Sequence, residues 1–297
     1  MKPTIFRGAG VAIVTPMHQD GSINFEKFTE LMEEQIAAGT DALIVCGTTG
    51  ESATLDHAEH LEVIDHAVSV VAGRIPVIAG TGSNDTRYAI ELSVAAQDIG
   101  ADALLLVTPY YNKCSQKGLV LHYNAIADAV DLPMIVYNVP SRTGLNIQPG
   151  TYWELAKHPN IVATKEANGN VSALAETVAL CGDDLQVYSG NDDQVLPALA
   201  YGGLGVISVL SNIVPDKMHE LCQRYFDGDT AGSAKLQTEL MALNNAIFCE
   251  VNPVPIKTAM NLMGKDVGPL RLPLCEMSDE HLAALKQVLI DYQLLEA

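Results

Sequence analysis

The sequence has few basic residues. Its 17 lysines and arginines stand against 36 aspartates and glutamates, which gives a formal net charge of −19. A nucleic-acid-binding protein needs a basic face that displaces the counterions of the phosphate backbone. The shortage therefore excludes a general nucleic-acid-binding protein and disfavours attachment to anionic membranes. A site for anionic substrates would have to supply its own cations and backbone N–H donors.

Long apolar runs and paired cysteines are also missing. No stretch reaches the ~18 apolar residues of a membrane span, and the first residues lack the pattern of a signal peptide. The six cysteines are scattered without a Cys-x-x-Cys motif, which disfavours a disulfide framework or a zinc site. We therefore expect a protein without a membrane span that works in the cytoplasm.

Short apolar runs recur along the first three quarters of the chain, and most are followed by a longer amphipathic segment. The runs are residues 10–14, 42–46, 76–79, 103–107, 134–137, 161–163, 186–188 and 205–208. Continuous apolar runs of this length are typical of parallel strands that are covered on both faces. Eight strand–helix units predict an α/β fold, a (β/α)8 TIM barrel. An open doubly wound sheet is the alternative.

The last strand–helix unit ends near residue 226, and the remaining segment of about 70 residues contains three helical stretches. Helical patterns cover residues 231–247, 255–263 and 278–294. The sequence therefore predicts a barrel catalytic domain over 1–227 and an all-α C-terminal extension over 228–297.

Two reactive side chains come at the ends of neighbouring strands, where a barrel places its chemistry. Lys165 ends the sixth strand, and Tyr137 ends the fifth. Burial would lower the pKa of the lysine and make its amine a nucleophile toward a carbonyl group. The phenol could then move a proton. The alternatives are a lysine paired with Glu166 or another barrel carboxylate and a tyrosine that only fills the core.

Three further residues at the same end of the barrel could bind a carboxylate. Thr48 and Thr49 lie in a turn between two glycines, which offers hydroxyl and N–H donors. Arg142 lies in the loop after the fifth strand, where a guanidinium could clamp a carboxylate through two hydrogen bonds. A surface salt bridge is the alternative for Arg142.

Metal and phosphate sites are disfavoured. His57 and His60 have the i, i+3 spacing of a ligand pair, but they lie in a helix away from the strand ends. Asp192 and Asp193 follow the seventh strand, where many barrels bind phosphate, and their charge would repel it. We expect no metal and no cofactor.

Three motifs together carry a resemblance that covers essentially the whole chain. They are Gly-Thr-Thr-Gly-Glu at residues 47–51, Tyr-Asn-Val-Pro at 137–140 and the strand-end Lys165. With them, the sequence resembles the pyruvate-dependent class I aldolase family, which includes dihydrodipicolinate synthase and N-acetylneuraminate lyase. The segments 108–112 and 141–144, the latter with Arg142, are more similar to the synthase branch.

The resemblance implies a reaction and a role for each matched residue. Pyruvate would condense with aspartate 4-semialdehyde to 4-hydroxy-tetrahydrodipicolinate, on the route to diaminopimelate and lysine. Lys165 would form the Schiff base, with Tyr137 as acid and base. Thr49 would link Tyr137 to Tyr111 of a neighbouring subunit in a proton relay. The Thr48–Thr49 turn would bind the carboxylate of pyruvate, in a pocket lined by Gly190 and Ile207. Arg142 would bind the carboxylate of the semialdehyde. The family is usually a homotetramer, a dimer of dimers.

The resemblance also points to a regulatory site, because some synthases bind lysine as an inhibitor at the tight dimer interface. Matching positions are present at Ser52, Ala53, His57, His60, Asn84 and Tyr110. Tyr88 stands where inhibited members have a glutamate, so a carboxylate for the lysine ammonium is missing. The sequence therefore predicts weak or absent inhibition by lysine.

Two other functions stay open at this point. One is an aldolase of the same family that acts on a sugar acid or hydroxy-oxoacid, against which Arg142 counts. The other is a catalytically dead barrel that serves as a sensor or scaffold. Lys165, Tyr137, Thr49 and Tyr111 together count against the second.

Overall fold

Eight parallel strands close into a barrel in the computed structural model, which describes residues 2–296. Each strand pairs with the next one along the chain, and the last pairs with the first. The strands are β1 Gly8–Ala12, β2 Ala42–Val45, β3 Val77–Gly80, β4 Ala103–Val107, β5 Met134–Asn138, β6 Ile161–Glu166, β7 Gln186–Ser189 and β8 Gly205–Ser208. The predicted (β/α)8 barrel is therefore confirmed, and the doubly wound alternative is wrong.

The apolar character of the strands follows from burial on both faces. Side chains alternate along a strand, so one set fills the barrel and the other packs against the helices. The inner set includes Ile44, Ile78, Leu105, Ile135 and Ile207, all nearly inaccessible to solvent. This packed interior closes the bottom of the barrel and leaves chemistry to the carboxyl ends of the strands.

Thirteen helices occur in residues 2–296. They are α1 Phe25–Ala37, α2 His57–Val71, α3 Thr86–Ile99, α4 Gln116–Ala127, α5 Pro140–Thr143, α6 Pro149–Leu155, α7 Val171–Cys181, α8 Val195–Ala200, α9 Pro215–Phe226, α10 Thr230–Glu239, α11 Met241–Ile247, α12 Val254–Leu262 and α13 Asp279–Asp291. Local signals set several ends. Asp56 and Glu59 form a capping box at the start of α2, and Gly100 ends α3 with a φ of 105°.

The C-terminal extension is helical as expected, with one difference. The single helix predicted over 231–247 is two helices, α10 and α11, separated at Leu240. Leu240 is 4% exposed, and the bend there packs its side chain into the core. The domain division at residue 227 stays a prediction. No helix within residues 2–296 has the length and apolar character needed to cross a membrane.

Candidate active site

A buried lysine and a buried tyrosine lie side by side in the mouth of the barrel. Tyr137 and Lys165 are register partners on β5 and β6, so both side chains point inward. They are 7% and 5% exposed, and the lysine Nζ lies 4.3 Å from the centre of the tyrosine ring. Gly190 makes room, because a Cβ there would lie 3.1 Å from Cγ of Lys165.

Burial prepares Lys165 to act as a nucleophile. It lowers the pKa of the amine to about 8, against an opposing effect of the Asp192 carboxylate, while the Arg142 cation lowers the pKa further. Lys165 is not paired with Glu166, the alternative left open by the sequence. The Glu166 carboxylate accepts hydrogen bonds from the Tyr152 hydroxyl at 2.7 Å and the Asn138 amide at 3.0 Å.

The two threonines of the turn after β2 have different neighbours. Thr48 lines a small cavity together with Tyr137, whose pKa is raised by burial and lowered by Arg142 and Thr48. The Thr49 hydroxyl oxygen instead accepts from the Asn252 amide at 3.0 Å. The structure thus places Thr48 beside Tyr137, and the relay expected through Thr49 stays a prediction. The two residues are adjacent, and the motif alone could not separate them.

Asn252 is a functional candidate that the sequence analysis missed. It comes from the C-terminal extension, just before α12, and is 5% exposed. Its amide reaches Thr49, and its backbone carbonyl accepts a hydrogen bond from the Arg142 guanidinium at 2.9 Å. One residue therefore holds both groups expected to bind carboxylates. Arg142 is otherwise exposed and faces the mouth of the barrel. Its guanidinium therefore binds a backbone carbonyl and not the carboxylate of a surface salt bridge.

A buried ion pair supports the turn from below. The Lys257 ammonium on α12 lies 2.7 Å from a carboxylate oxygen of Glu51, and the two side chains are 1% and 0% exposed. The same ammonium donates to the backbone carbonyls of Thr15 and Pro269. Glu51 has a left-handed backbone with a φ of 55°, a conformation that few glutamates adopt. The sequence analysis missed Lys257 because about 200 residues separate the partners.

The residues expected to line the pyruvate pocket lie at the strand ends near Lys165. The Gly190 N–H donates to the Glu166 carbonyl at 2.7 Å and continues the pairing of β6 with β7. Ile207 is 1% exposed on β8 and belongs to the inner face of the barrel.

Tyr111 is the one predicted catalytic residue that its own chain does not bring to the site. It is 90% exposed and has a left-handed backbone with a φ of 69°. Hydrogen bonds of Asn112 and Asn84 across the loop hold this turn. An exposed tyrosine in such a conformation is a candidate for contact with another molecule.

Most of the residues expected at a lysine site line one cavity of about 440 Å³ that also reaches Thr48 and Arg142. Those in its wall are Ser52, Ala53, His60, Tyr88 and Tyr110. Asn84 donates to the Tyr110 carbonyl nearby, and the His57 ring lies 5.8 Å from the Tyr88 ring. The Glu51 carboxylate also lines this cavity, but it is paired with Lys257. Weak inhibition by lysine stays a prediction.

His60 has a structural partner. Its ring nitrogen is hydrogen-bonded to the Gly80 carbonyl at 2.7 Å, and burial lowers the pKa of the imidazole. Within residues 2–296, no group of three histidine, cysteine, aspartate or glutamate side chains is placed to hold a metal ion.

Comparison with known proteins agrees with this geometry. Residues 5–291 match the model of the dihydrodipicolinate synthetase family. A 4-hydroxy-tetrahydrodipicolinate synthase of Thermoanaerobacter sp. (strain X514) is 57% identical over 98% of both chains.

Two solved structures show the same fold. One is a chloride-inhibited dihydrodipicolinate synthase of Acinetobacter baumannii complexed with pyruvate; it is 44% identical, with a TM-score of 0.95, over 98% of this chain and 100% of that one. A dihydrodipicolinate synthase of Cyanidioschyzon merolae with lysine bound is 40% identical, with a TM-score of 0.95, over 99% and 100%. With these matches, the chain belongs to the dihydrodipicolinate synthetase family.

Proposed function

We propose that the protein condenses pyruvate with aspartate 4-semialdehyde to 4-hydroxy-tetrahydrodipicolinate, the route to diaminopimelate and lysine. The observation that carries the proposal is the buried Lys165 amine beside the Tyr137 phenol. Family membership and the pyruvate complex of the Acinetobacter baumannii relative support it. The reaction needs no metal or cofactor, because the protonated imine is itself the electron sink.

The first half of the reaction uses Lys165, Tyr137 and Thr48. The neutral amine attacks the ketone carbon of pyruvate, and the phenol protonates the carbinolamine oxygen, which leaves as water. The resulting iminium makes the neighbouring methyl group acidic, so the phenolate removes a proton from it. Thr48, which lines the same small cavity as the phenol, passes protons to and from it.

The carboxylate of pyruvate binds at Thr49 and the surrounding N–H groups. Because the Asn252 amide already donates to the Thr49 oxygen, the hydroxyl proton of Thr49 is left to donate to the carboxylate. The pyruvate pocket is completed by Gly190 and Ile207. These local donors offset the repulsion of an anion by a protein with a net charge of −19.

The second half joins the two substrates. The enamine carbon attacks the aldehyde carbon, which restores the iminium, and the aldehyde oxygen takes a proton from the Tyr137 phenol and becomes a hydroxyl group. The amino group of the semialdehyde then bonds to the iminium carbon and passes a proton to the Lys165 nitrogen. The C–N bond to Lys165 breaks, and the ring is closed. Arg142 holds the carboxylate of the semialdehyde at the mouth of the barrel, with its orientation fixed by the Asn252 carbonyl. A guanidinium is suited to this task because it can donate two parallel hydrogen bonds.

Arg142→Ala is expected to lower kcat/KM for aspartate 4-semialdehyde about 10- to 100-fold, the value of a hydrogen bond between charged groups. The KM for pyruvate should change much less, because the variant leaves Thr49 intact. The assay couples product formation to a downstream reductase and follows loss of reduced nicotinamide. Arg87→Ala, whose side chain is 84% exposed on α3, is the matched control and should have no effect.

No turnover of the wild-type protein with aspartate 4-semialdehyde, together with turnover of a sugar-derived aldehyde, would contradict this assignment. The protein would then be another aldolase of the family. Pyruvate binding without turnover of any aldehyde would instead point to a sensor.

We also propose that a second copy of the chain completes each site with Tyr111, in a dimer that pairs into a homotetramer. The support is the exposure of Tyr111 and its left-handed backbone. Sedimentation of the purified protein measures the assembly.

Mixing two inactive variants tests the exchange of Tyr111 between subunits. Tyr111→Phe and Lys165→Met are each expected to be nearly inactive. After dissociation and reassociation together, mixed dimers should regain activity, because one site combines an intact Lys165 with the Tyr111 of the other chain. Reassociation of each variant alone is the control. Mixed dimers without activity would place Tyr111 in its own chain's site, and an active Tyr111→Phe variant would place it outside catalysis.

The remaining expectations have narrower support. The unpaired state of all six cysteines, including the exposed Cys249 and Cys275, suits the reducing cytoplasm. We therefore place the protein in the cytoplasm, and cell fractionation tests this location. The domain division at residue 227 is retained, although Asn252 and Lys257 bind the extension tightly to the barrel.

A further inference from the structure

A second buried charge lies near Lys165 and has no role in the steps above. Asp192 follows β7 and is 3% exposed. One carboxylate oxygen accepts hydrogen bonds from the N–H groups of Val209 at 2.9 Å and Leu210 at 3.0 Å. The other oxygen is buried without a hydrogen-bond partner. A buried carboxylate with one unused oxygen requires an explanation.

The position of Asp192 in the barrel explains why its carboxylate has an unused oxygen. β7 lies beside β6, and the chain passes from β7 to Asp192 through Gly190, where an added Cβ would lie 3.1 Å from Cγ of Lys165. The carboxylate raises the pKa of the Lys165 amine and thereby opposes the effect of burial. The backbone donors favour the charged form of Asp192, whereas burial raises its pKa.

Few other titratable groups act on this pair. Lys165 is faced by the Tyr137 phenol and by Arg142, whose positive charge is repulsive. Asp192 acts on the Cys222 thiol of α9, whose pKa is raised mainly by burial. Asp192 is therefore the negative charge that opposes burial and Arg142 at the lysine nitrogen.

The proposed reaction places a lasting positive charge on that nitrogen. A neutral amine, a ketone and a proton become an iminium ion and water: the C–N bond forms, and the carbonyl oxygen leaves as water. In a buried site, an unpaired cation is costly. We propose that Asp192 is the counter-ion of the Lys165 nitrogen, stabilising first its ammonium and then the iminium of bound pyruvate. The inference rests on the proposed Schiff base, and Asp192 acts through Lys165 rather than on the substrate.

Asp192→Asn removes the charge with little change of shape. The amide oxygen can still accept from Val209 and Leu210, and the amide nitrogen takes the place of the unpartnered oxygen. The rate of borohydride trapping of pyruvate is measured against pH. Because the carboxylate raises the pKa of Lys165, its loss should move the midpoint about one unit to lower pH. A one-unit shift corresponds to a tenfold change in an equilibrium constant.

A second readout has the same electrostatic origin. Above the pKa of Lys165, pyruvate binding converts a neutral amine into a cation, so the KM for pyruvate should rise about tenfold. Well below that pKa, the iminium cation of bound pyruvate replaces an ammonium cation of free Lys165, and the KM for pyruvate should change little. A purely structural role would give no such dependence on pH. Asp193→Asn, an exposed neighbour, is the matched control, and Asp192→Glu should retain the wild-type profile.

Asp192→Ser is the second charge-free variant and is used if Asp192→Asn does not fold to a wild-type melting temperature. A folded charge-free variant with an unshifted trapping profile would overturn the inference and leave the Schiff base intact. Absence of trapping in the wild-type protein would instead overturn the proposed function. The two failures are therefore distinguishable.

Discussion

Lys165→Met is expected to lower kcat at least about 10³-fold, because it removes the buried amine beside Tyr137 that forms the imine. The residual rate would come from Arg142 and the Thr48–Thr49 turn, which still bring the substrates together. The size of the loss reflects the environment of the amine: burial brings its pKa to about 8, so that about half of the lysines are neutral near that pH. The measurement is the coupled assay at saturating concentrations of both substrates.

The control for this variant is the same substitution at an exposed site. Lys235→Met, on α10, removes a side chain that is 77% exposed and should leave kcat unchanged. Circular dichroism and the melting temperature establish that Lys165→Met is folded. A folded Lys165→Met protein that keeps a tenth or more of the wild-type rate would show that the amine is not the nucleophile.

Lys257→Met is expected to destabilise the protein by about 3–5 kcal/mol, the usual cost of leaving a buried charge without its partner. The lysine uses its three protons on Glu51, Thr15 and Pro269. Without it, the Glu51 carboxylate keeps the N–H of Arg271 at 3.0 Å but loses its buried cation. For a chain of this size, the melting temperature should fall by roughly 6–20 °C. Urea unfolding gives the free energy.

A surface ion pair provides the matched control for Lys257→Met. Lys265 pairs with Glu34, but the two side chains are 24% and 54% exposed, so Lys265→Met should cost no more than about 1 kcal/mol. Glu51→Gln combined with Lys257→Met should recover part of the loss, because the buried charge is gone. A loss below about 1 kcal/mol for Lys257→Met would mean that the pair is not important for stability.

The barrel could be predicted because its signals are local. Apolar runs, the capping box at Asp56 and the helix stop at Gly100 each lie within a few residues of the element they set. Lys165 could be found in the same way, as a charged residue at the end of an apolar strand. The apolar run of β6 ends at residue 163, and the strand continues through the more polar Thr164 and Lys165 to Glu166.

What the sequence could not predict depends on contacts between distant segments. Asn252 reaches Thr49 across 203 positions, and Lys257 reaches Glu51 across 206. A lone asparagine and a lone lysine in a helical extension carry no local signal of such contacts. The motif cannot separate the roles of Thr48 and Thr49 for another reason, since the direction of each hydroxyl depends on its partners. Asp192 was predicted at the right end of the barrel, but only as a repulsive charge for phosphate.

The most direct test of the account is to identify the residue that pyruvate modifies. The wild-type protein is incubated with pyruvate, reduced with borohydride, digested and examined by mass spectrometry. We expect one reduced pyruvate per chain, on the peptide that contains Lys165, and none when pyruvate is omitted. An adduct on another lysine, or no adduct while the protein still turns over both substrates, would contradict the Schiff-base mechanism.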